Sequence, residues 1–329
     1  IQAMSEKRNH KIYNPKMECM SRDERLHLQG ERLRALVKYE YENVKIYRER
    51  MDLKGVRPED IRTVEDIQLL PFMEKTDLRD QWPYGLFAAP MKDVVRVHGS
   101  SGTTGHPIIS GYTRNDLEVW SEMMARTLAG AGCTDEDVVQ VGYGLGLFTG
   151  GFGAVQGAEK IGAMVIPMSS GNTQRQIMMM RELGTTVLCC TPSYATYLGE
   201  TIREMGLDPK KDLRLKAGCF GAEPWTEEMR ARIEELLQID ACDIYGLTEI
   251  CGPGAAFECL EKHGMHINED HLIAEIVDPA TGKQLPHGQT GELVFTTITK
   301  TGTPMLRYRT HDLCSLDASP CACGRTTAR

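Results

Sequence analysis

The sequence predicts an α/β domain built of parallel strands flanked by helices, with a smaller β-barrel-like section after it. Three observations predict this class. Between about residues 94 and 245, short apolar, β-branched runs alternate with amphipathic segments of helical period, the pattern of parallel strands covered on both faces. Two later runs, Ile273 to Val277 and Gly291 to Ile298, follow one another with no helical segment between them. The composition, 41% hydrophobic and 26% charged over 329 residues, is that of a folded chain able to bury a sizeable core.

The elements follow in order. Residues 17 to 50 place Leu26, Leu33, Leu36, Val37, Tyr41, Val44 and Tyr47 at three- and four-residue steps among charges, which predicts one or two helices. Such a face covers its own domain or packs on a second copy, so a homodimer is one expectation. Thr63 with Asp66 three residues later predicts a short capped turn. Val94 to His98 reads as a strand and Asn115 to Ala131 as a helix capped by Asn115 or Asp116. Strands then read at Val138 to Tyr143, Ala163 to Pro167, Thr186 to Cys190, Leu213 to Gly221 and Ala241 to Tyr245. Helices read at about Gly150 to Ile161, Thr173 to Leu183, Pro192 to Met205 and Thr226 to Leu237. This divides the chain into a helical segment (1–90), an α/β core (91–250) and a β-rich section (251–329).

A formal net charge of −8 disfavours nucleic acid as a partner. No apolar run approaches the roughly 18–20 residues that span a bilayer, so no membrane partner is expected. Eleven scattered cysteines, most of them in apolar surroundings, fit a reducing cytoplasm.

The octamer Ser100-Ser101-Gly102-Thr103-Thr104-Gly105-His106-Pro107 follows directly on a predicted strand. Two glycines let backbone amides turn inward and four hydroxyls add donors, an anion nest suited to a polyphosphate. Taken alone it reads equally as a Ser/Gly/Thr-rich surface turn. It is not a Walker A loop, because no Gly-Lys-Ser/Thr follows at the required spacing.

Further stretches give the octamer a context: Tyr143-Gly144-Leu145-Gly146-Leu147-Phe148, Gly221-Ala222-Glu223-Pro224, Asp243-Ile244-Tyr245-Gly246-Leu247-Thr248-Glu249 and Leu306-Arg307-Tyr308-Arg309-Thr310-His311-Asp312-Leu313. With these motifs in order, the sequence from about Tyr41 onward resembles the phenylacetate–CoA ligase family of the adenylate-forming superfamily. The resemblance implies that Ser100, Ser101, Gly102, Thr103, Thr104 and Gly105 hold the phosphates of ATP. It implies that Tyr245 stacks on adenine, with Asp243 and Gly246 beside the nucleotide, that Thr248 touches the α-phosphate and that Glu249 helps hold Mg²⁺. An aromatic face, a hydroxyl donor and a hard carboxylate suit those tasks. By the same resemblance Asp312 accepts from the ribose, Gly221, Ala222, Glu223 and Pro224 line the adenine and acyl pocket, and Arg325 touches the nucleotide. Tyr143 and Phe148 would flank an aryl acid among small residues. Without the resemblance, Asp312 reads as a partner of nearby arginines and the Tyr143/Phe148 pair as packing.

The sequence departs from the family at His106, where many members carry lysine; histidine is largely neutral at pH 7. Lys75 lies in a segment whose lysine, by resemblance, approaches the nucleotide. Two thiols in Cys321-Ala322-Cys323 are close enough to share a metal. Zinc-bearing members of the family show the same pieces, which implies a structural Zn²⁺ held by Cys259, His266, Cys321 and Cys323, with His263 the competitor for His266.

The expected activity is two-step: an aryl acid is adenylated by ATP, and CoA then displaces AMP. An adenylating enzyme with a non-CoA acceptor, and a non-catalytic nucleotide- and zinc-binding module, are the alternatives. In the family a small lysine-bearing C-terminal domain follows the ribose-binding aspartate. The sequence ends at Arg329, about where that hinge is expected, so this chain by itself is expected to bind ATP and aryl acid but form adenylate slowly.

Overall fold

The structure, a computed structural model, describes residues 10–100 and 105–329. Three N-terminal helices, α1 (Pro15–Glu18), α2 (Arg22–Asn43) and α3 (Lys45–Lys54), occupy the stretch of helical period. Ser21 starts α2 through a reciprocal pair: its hydroxyl accepts from the Glu24 amide, and the Glu24 carboxylate accepts from the Ser21 amide, satisfying two otherwise orphaned donors. Leu33, Leu36 and Val37 of α2 and Tyr47 and Met51 of α3 are buried in a core shared with the later β section. The apolar face of α2 thus covers its own chain. Thr63 and Asp66 make the same kind of cap on a short 3-10 turn, Val64–Leu69, and α4 (Lys75–Asp80) follows.

β1 (Val94–Gly99) pairs antiparallel with β2 (Ile109–Thr113) in a sheet of its own. The octamer that begins at Ser100 therefore falls between the two strands of a hairpin. β2 runs into α5 (Arg114–Gly130), whose cap is Thr113 rather than Asn115 or Asp116. The Thr113 hydroxyl accepts from the Asp116 amide while Asp116 accepts from the Thr113 amide; the Asn115 side chain donates instead to the Thr299 carbonyl at 3.3 Å.

The chain then alternates as expected: β3 (Val138–Val141), α6 (Thr149–Ile161), β4 (Met164–Pro167), α7 (Thr173–Leu183), β5 (Val187–Cys190), α8 (Pro192–Glu204), α9 (Pro209–Asp212), β6 (Ala217–Phe220), α10 (Glu227–Leu237) and β7 (Asp240–Leu247). The strands order β4-β3-β5-β6-β7, all parallel. Alternate residues face opposite layers. Val139, Val141, Val187, Cys189, Cys219 and Cys242 pack with Trp120, Met124 and Leu128 of α5 and Ala154 and Ala158 of α6. Leu188, Cys190, Phe220 and Ala241 pack with α7, α8 and α10. β8 (Gly252–Glu258) and β9 (Met265–Ile267) extend the same sheet antiparallel. β10 (Leu272–Val277), β11 (Gly291–Thr297) and β12 (Tyr308–Cys314) form a separate antiparallel sheet. Among the described residues no helix is long and apolar enough to cross a membrane.

Candidate functional site

The cleft opens at the carboxyl ends of the parallel strands, where α/β sheets leave room for ligands. It gathers eight residues singled out from the sequence: Ser100, Tyr143, Phe148, Ala222, Tyr245, Gly246, Thr248 and Glu249. Thr149, Gly150, Ile244, Leu247 and Pro253 complete its lining. The signal that could have found two of them was the small-residue run directly after Phe148. Ser101, Gly102, Thr103 and Thr104 lie outside the described residues.

Each wall has a local cause. Tyr143 is buried and donates its hydroxyl to the Cys219 carbonyl at 3.3 Å, which fixes its ring against the base of the cleft. Phe148 is 39% exposed at the start of α6. Gly150 leaves the space between these rings: a Cβ there would meet Phe148 Cε1 at 2.9 Å and Tyr143 Cδ1 at 3.4 Å. Ala222 holds a left-handed backbone, φ 75°, an arrangement that costs an ordinary residue about 1–3 kcal/mol and concentrates at ligand sites. Thr248 and Glu249 are buried in the turn after β7. The Tyr308 phenol lies against Glu249; burial first, and the Glu249 charge second, push its pKa up.

The Tyr245 phenol donates to the Asp312 carboxylate, so the residues expected at adenine and ribose are joined directly. Glu223 accepts from the Ser193 amide at 2.7 Å, in the first turn of α8. Burial pushes the Asp243 carboxyl up to about 6, and its amide donates to Glu258. Gly221 is buried against the Ile244 carbonyl, which a Cβ would meet at 2.5 Å, and Pro224 is exposed. Lys75 is exposed at the first residue of α4, two residues beyond Met73, which bridges Tyr308. His106 lies stacked on Trp82, ring centroids 4.7 Å apart and planes 9° from parallel.

Arg325 does not reach the cleft. Its fully buried guanidinium donates to Glu18 at 2.9 Å, to the Lys11 carbonyl at 2.7 Å and to Cys323 Sγ at 3.6 Å. With Glu18 equally buried, the pair satisfies itself far more cheaply than either charge alone. Arg325 is thus tied to Glu18 and Cys323 and does not line the cleft.

That cluster is the second site. The ligand atoms of Cys259, His266, Cys321 and Cys323, all buried, lie within 4.8 Å of one another. Cys259 Sγ and Cys321 Sγ are 3.7 Å apart, and Cys323 Sγ is 3.5 Å from His266 Nε2. A tetrahedral zinc with Zn–S about 2.3 Å and Zn–N about 2.0–2.1 Å requires edges of about 3.8 and 3.6 Å, so the four donors fit that ion. His266 Nδ1 pairs with Thr327 Oγ1 at 2.9 Å, which turns Nε2 toward the thiols. Hydrogen bonds from Cys259, His266 and Arg325 hold the Cys323 thiol well below its ordinary pKa. His263 stands outside the cluster and lines a separate cavity.

A seven-stranded sheet covered by helices, with a cleft that brings Ser100 to the Tyr-Gly-Leu-Thr-Glu turn, is the architecture of the large domain of an adenylate-forming enzyme. Residues 48–299 match the family model of AMP-binding enzymes. The phenylacetate–coenzyme A ligase of Thermus thermophilus is 49% identical over 97% of this chain and 72% of its own length. That of Pseudomonas putida is 51% identical over 91% of this chain and 68% of its own, and that of Escherichia coli 49% over 91% and 69%. Among solved structures, 2-hydroxyisobutyryl-CoA ligase in complex with 2-HIB-AMP and CoA superposes with a TM-score of 0.91 at 31% identity, covering 96% of this chain and 68% of that one. The chain belongs to the phenylacetate–CoA ligase family of the adenylate-forming enzymes.

Proposed function

We propose that the protein catalyses ATP-dependent ligation of an aryl acid, phenylacetate foremost, to CoA. The observation that carries this reading is the single cleft shared by Tyr143, Phe148 and Gly150 with Ser100, Tyr245, Thr248 and Glu249: an aromatic slot beside polar groups suited to a nucleotide. In the first step a carboxylate oxygen attacks the α-phosphorus and the bond to the β-phosphate oxygen breaks, releasing pyrophosphate. In the second the CoA sulfur, losing its proton, attacks the acyl carbon and the bond to the AMP oxygen breaks. The chain's part is positioning and charge stabilisation. Tyr245 stacks on adenine, with Asp243, Gly246, Gly221, Glu223 and Pro224 around the base. Asp312 accepts from the ribose. Thr248 donates to the α-phosphate, and the loop from Ser100 to Gly105 holds the outer phosphates through amides and hydroxyls, with Lys75 at its approach. Mg²⁺ at Glu249 would neutralise phosphate charge.

Zinc at Cys259, His266, Cys321 and Cys323 would tie the last turns of the chain to β8 and β9, a stabilising role with no chemistry of its own. A reducing cytoplasm suits these thiols.

Calorimetry tests the ligase reading. MgATP binds in saturable fashion, and phenylacetate binds more tightly than benzoate, a preference lost in Phe148→Ala. Turnover of the full-length protein with ATP, aryl acid and CoA is scored separately for AMP and thioester; AMP without thioester would favour a different acceptor. Nucleotide binding with no aryl-acid binding would overturn the reading.

A further inference from the structure

The two polar halves of the cleft belong to different sheets. On one side, the base of the phosphate loop is closed by the Ser100 amide donating to the Ile108 carbonyl at 2.9 Å and the Ile108 amide donating to Ser100 Oγ at 3.2 Å. Ser110 follows on β2, opposite His98 and fully buried. On the other side, Ile250 directly follows Glu249 in a turn where the Ile250 and Cys251 amides both donate to the Leu247 carbonyl. Among the described residues no backbone ladder joins the β1–β2 hairpin to β7.

One side chain spans the gap. Lys300 is buried, and its Nζ donates to Ser110 Oγ at 2.6 Å and to the Ile250 carbonyl at 3.0 Å. Its third direction faces the Tyr112 ring, whose centroid is 4.6 Å away. The loop carrying Lys300 is itself pinned: Asp116 accepts from the Thr301 amide at 2.7 Å and the Gly302 amide at 2.8 Å. Gly302 lies so close to β2 that a Cβ would meet the Gly111 carbonyl at 2.2 Å. Burial pushes the Lys300 ammonium pKa down, while Asp116 and Glu249 pull it back. Burying a charge against neutral acceptors is costly, and an apolar chain of similar length would fill the same space. What the ammonium supplies is a fixed distance between a serine of the β1–β2 hairpin and a carbonyl of the turn after β7.

We infer that Lys300 is a positioning residue of the nucleotide site, setting the phosphate-loop hairpin against the Thr248–Glu249 turn. It acts through Ser110 and Ile250 rather than by touching the nucleotide. The inference rests on the proposed function in one respect, that ATP bridges this loop and this turn.

The test compares Lys300→Met, Lys300→Arg and Ser110→Ala with the unaltered chain, measuring calorimetric affinity for MgATP and for AMP alongside the urea denaturation midpoint. MgATP reaches both halves of the cleft, whereas AMP lacks the outer phosphates. Lys300→Met weakens MgATP at least about tenfold, the scale of one lost hydrogen bond to a charged group, and leaves AMP within about twofold. Lys300→Arg recovers part of the loss, and Ser110→Ala falls between. Unchanged MgATP affinity, or equal losses for MgATP and AMP, would overturn the inference. If Lys300→Met does not fold, Ser110→Ala decides alone, since it keeps the ammonium. Failure of the unaltered chain to bind MgATP would sink the functional reading instead.

Discussion

The Tyr245 phenol donates to the Asp312 carboxylate across 67 residues of sequence, linking the last parallel strand, β7, to the final strand of the β section. Burial foremost, and the hydrogen bond to Asp312 next, push the Tyr245 pKa up. The bond joins two separate sequence motifs. Tyr245→Phe keeps the ring and removes the bond. It should cost about 1–2 kcal/mol of stability, read by urea denaturation, and weaken AMP binding more than aryl-acid binding. A variant indistinguishable from the parent in both measurements would remove this link from the site.

Gly150 sets the gap between the Phe148 and Tyr143 rings, the proposed aryl slot. Gly150→Ala forces the Phe148 ring aside and should lower aryl-acid affinity roughly tenfold, within the range that one methylene-sized change commands in an apolar pocket. MgATP affinity should stay within about twofold. Equal losses for both ligands would mean that the slot is not where the acid binds.

The cysteine cluster should carry about one zinc per chain. Elemental analysis of the purified protein checks the stoichiometry. Cys259→Ser should abolish retention and lower the denaturation midpoint, and a strong chelator should reproduce that drop in the parent but not in the variant. Full stability with no bound metal would leave the thiols as a plain buried cluster.

Glu40 is fully buried in α2, and among the described residues neither carboxylate oxygen has a hydrogen-bond partner. Burial pushes its pKa well above the ordinary value. The folded state therefore binds a proton that the unfolded chain gives up, and the associated stability is present at acid pH and fades as pH rises. Glu40→Gln should raise the denaturation midpoint at pH 7 to 8, with the gain shrinking as pH falls through the ordinary carboxylate range. A constant difference across pH would contradict this origin.

Much of the frame was legible because its causes are local. Apolar period and reciprocal caps such as Ser21 with Glu24 and Thr63 with Asp66 are written within a few residues, and so is the alternation that builds the parallel core. β2 was not legible: Ile109–Thr113 has a Ser-Gly centre and no alternation, and it becomes a strand only because β1 offers a ladder. β8, Gly-Pro-Gly-Ala-Ala-Phe-Glu, likewise needs β7 beside it.

The sequence by itself determined which residue types stand ready for chemistry: the Ser100–Pro107 octamer, the Tyr-Gly-Leu-Thr-Glu turn, the Tyr143/Phe148 pair and the cysteines and histidines from which the proposed metal set is drawn. The tertiary structure alone decided which of them meet. It brought Cys259 to 3.7 Å from Cys321 and turned His266 rather than His263 toward them. It carried Arg325 away from the cleft into a buried pair with Glu18. It also recruited Lys300, which no motif marks, to hold the two halves of the site together. The physical reason is range: caps and periodicity act within a turn or two of helix, whereas a buried charge chooses its partner by where packing leaves it once water is gone.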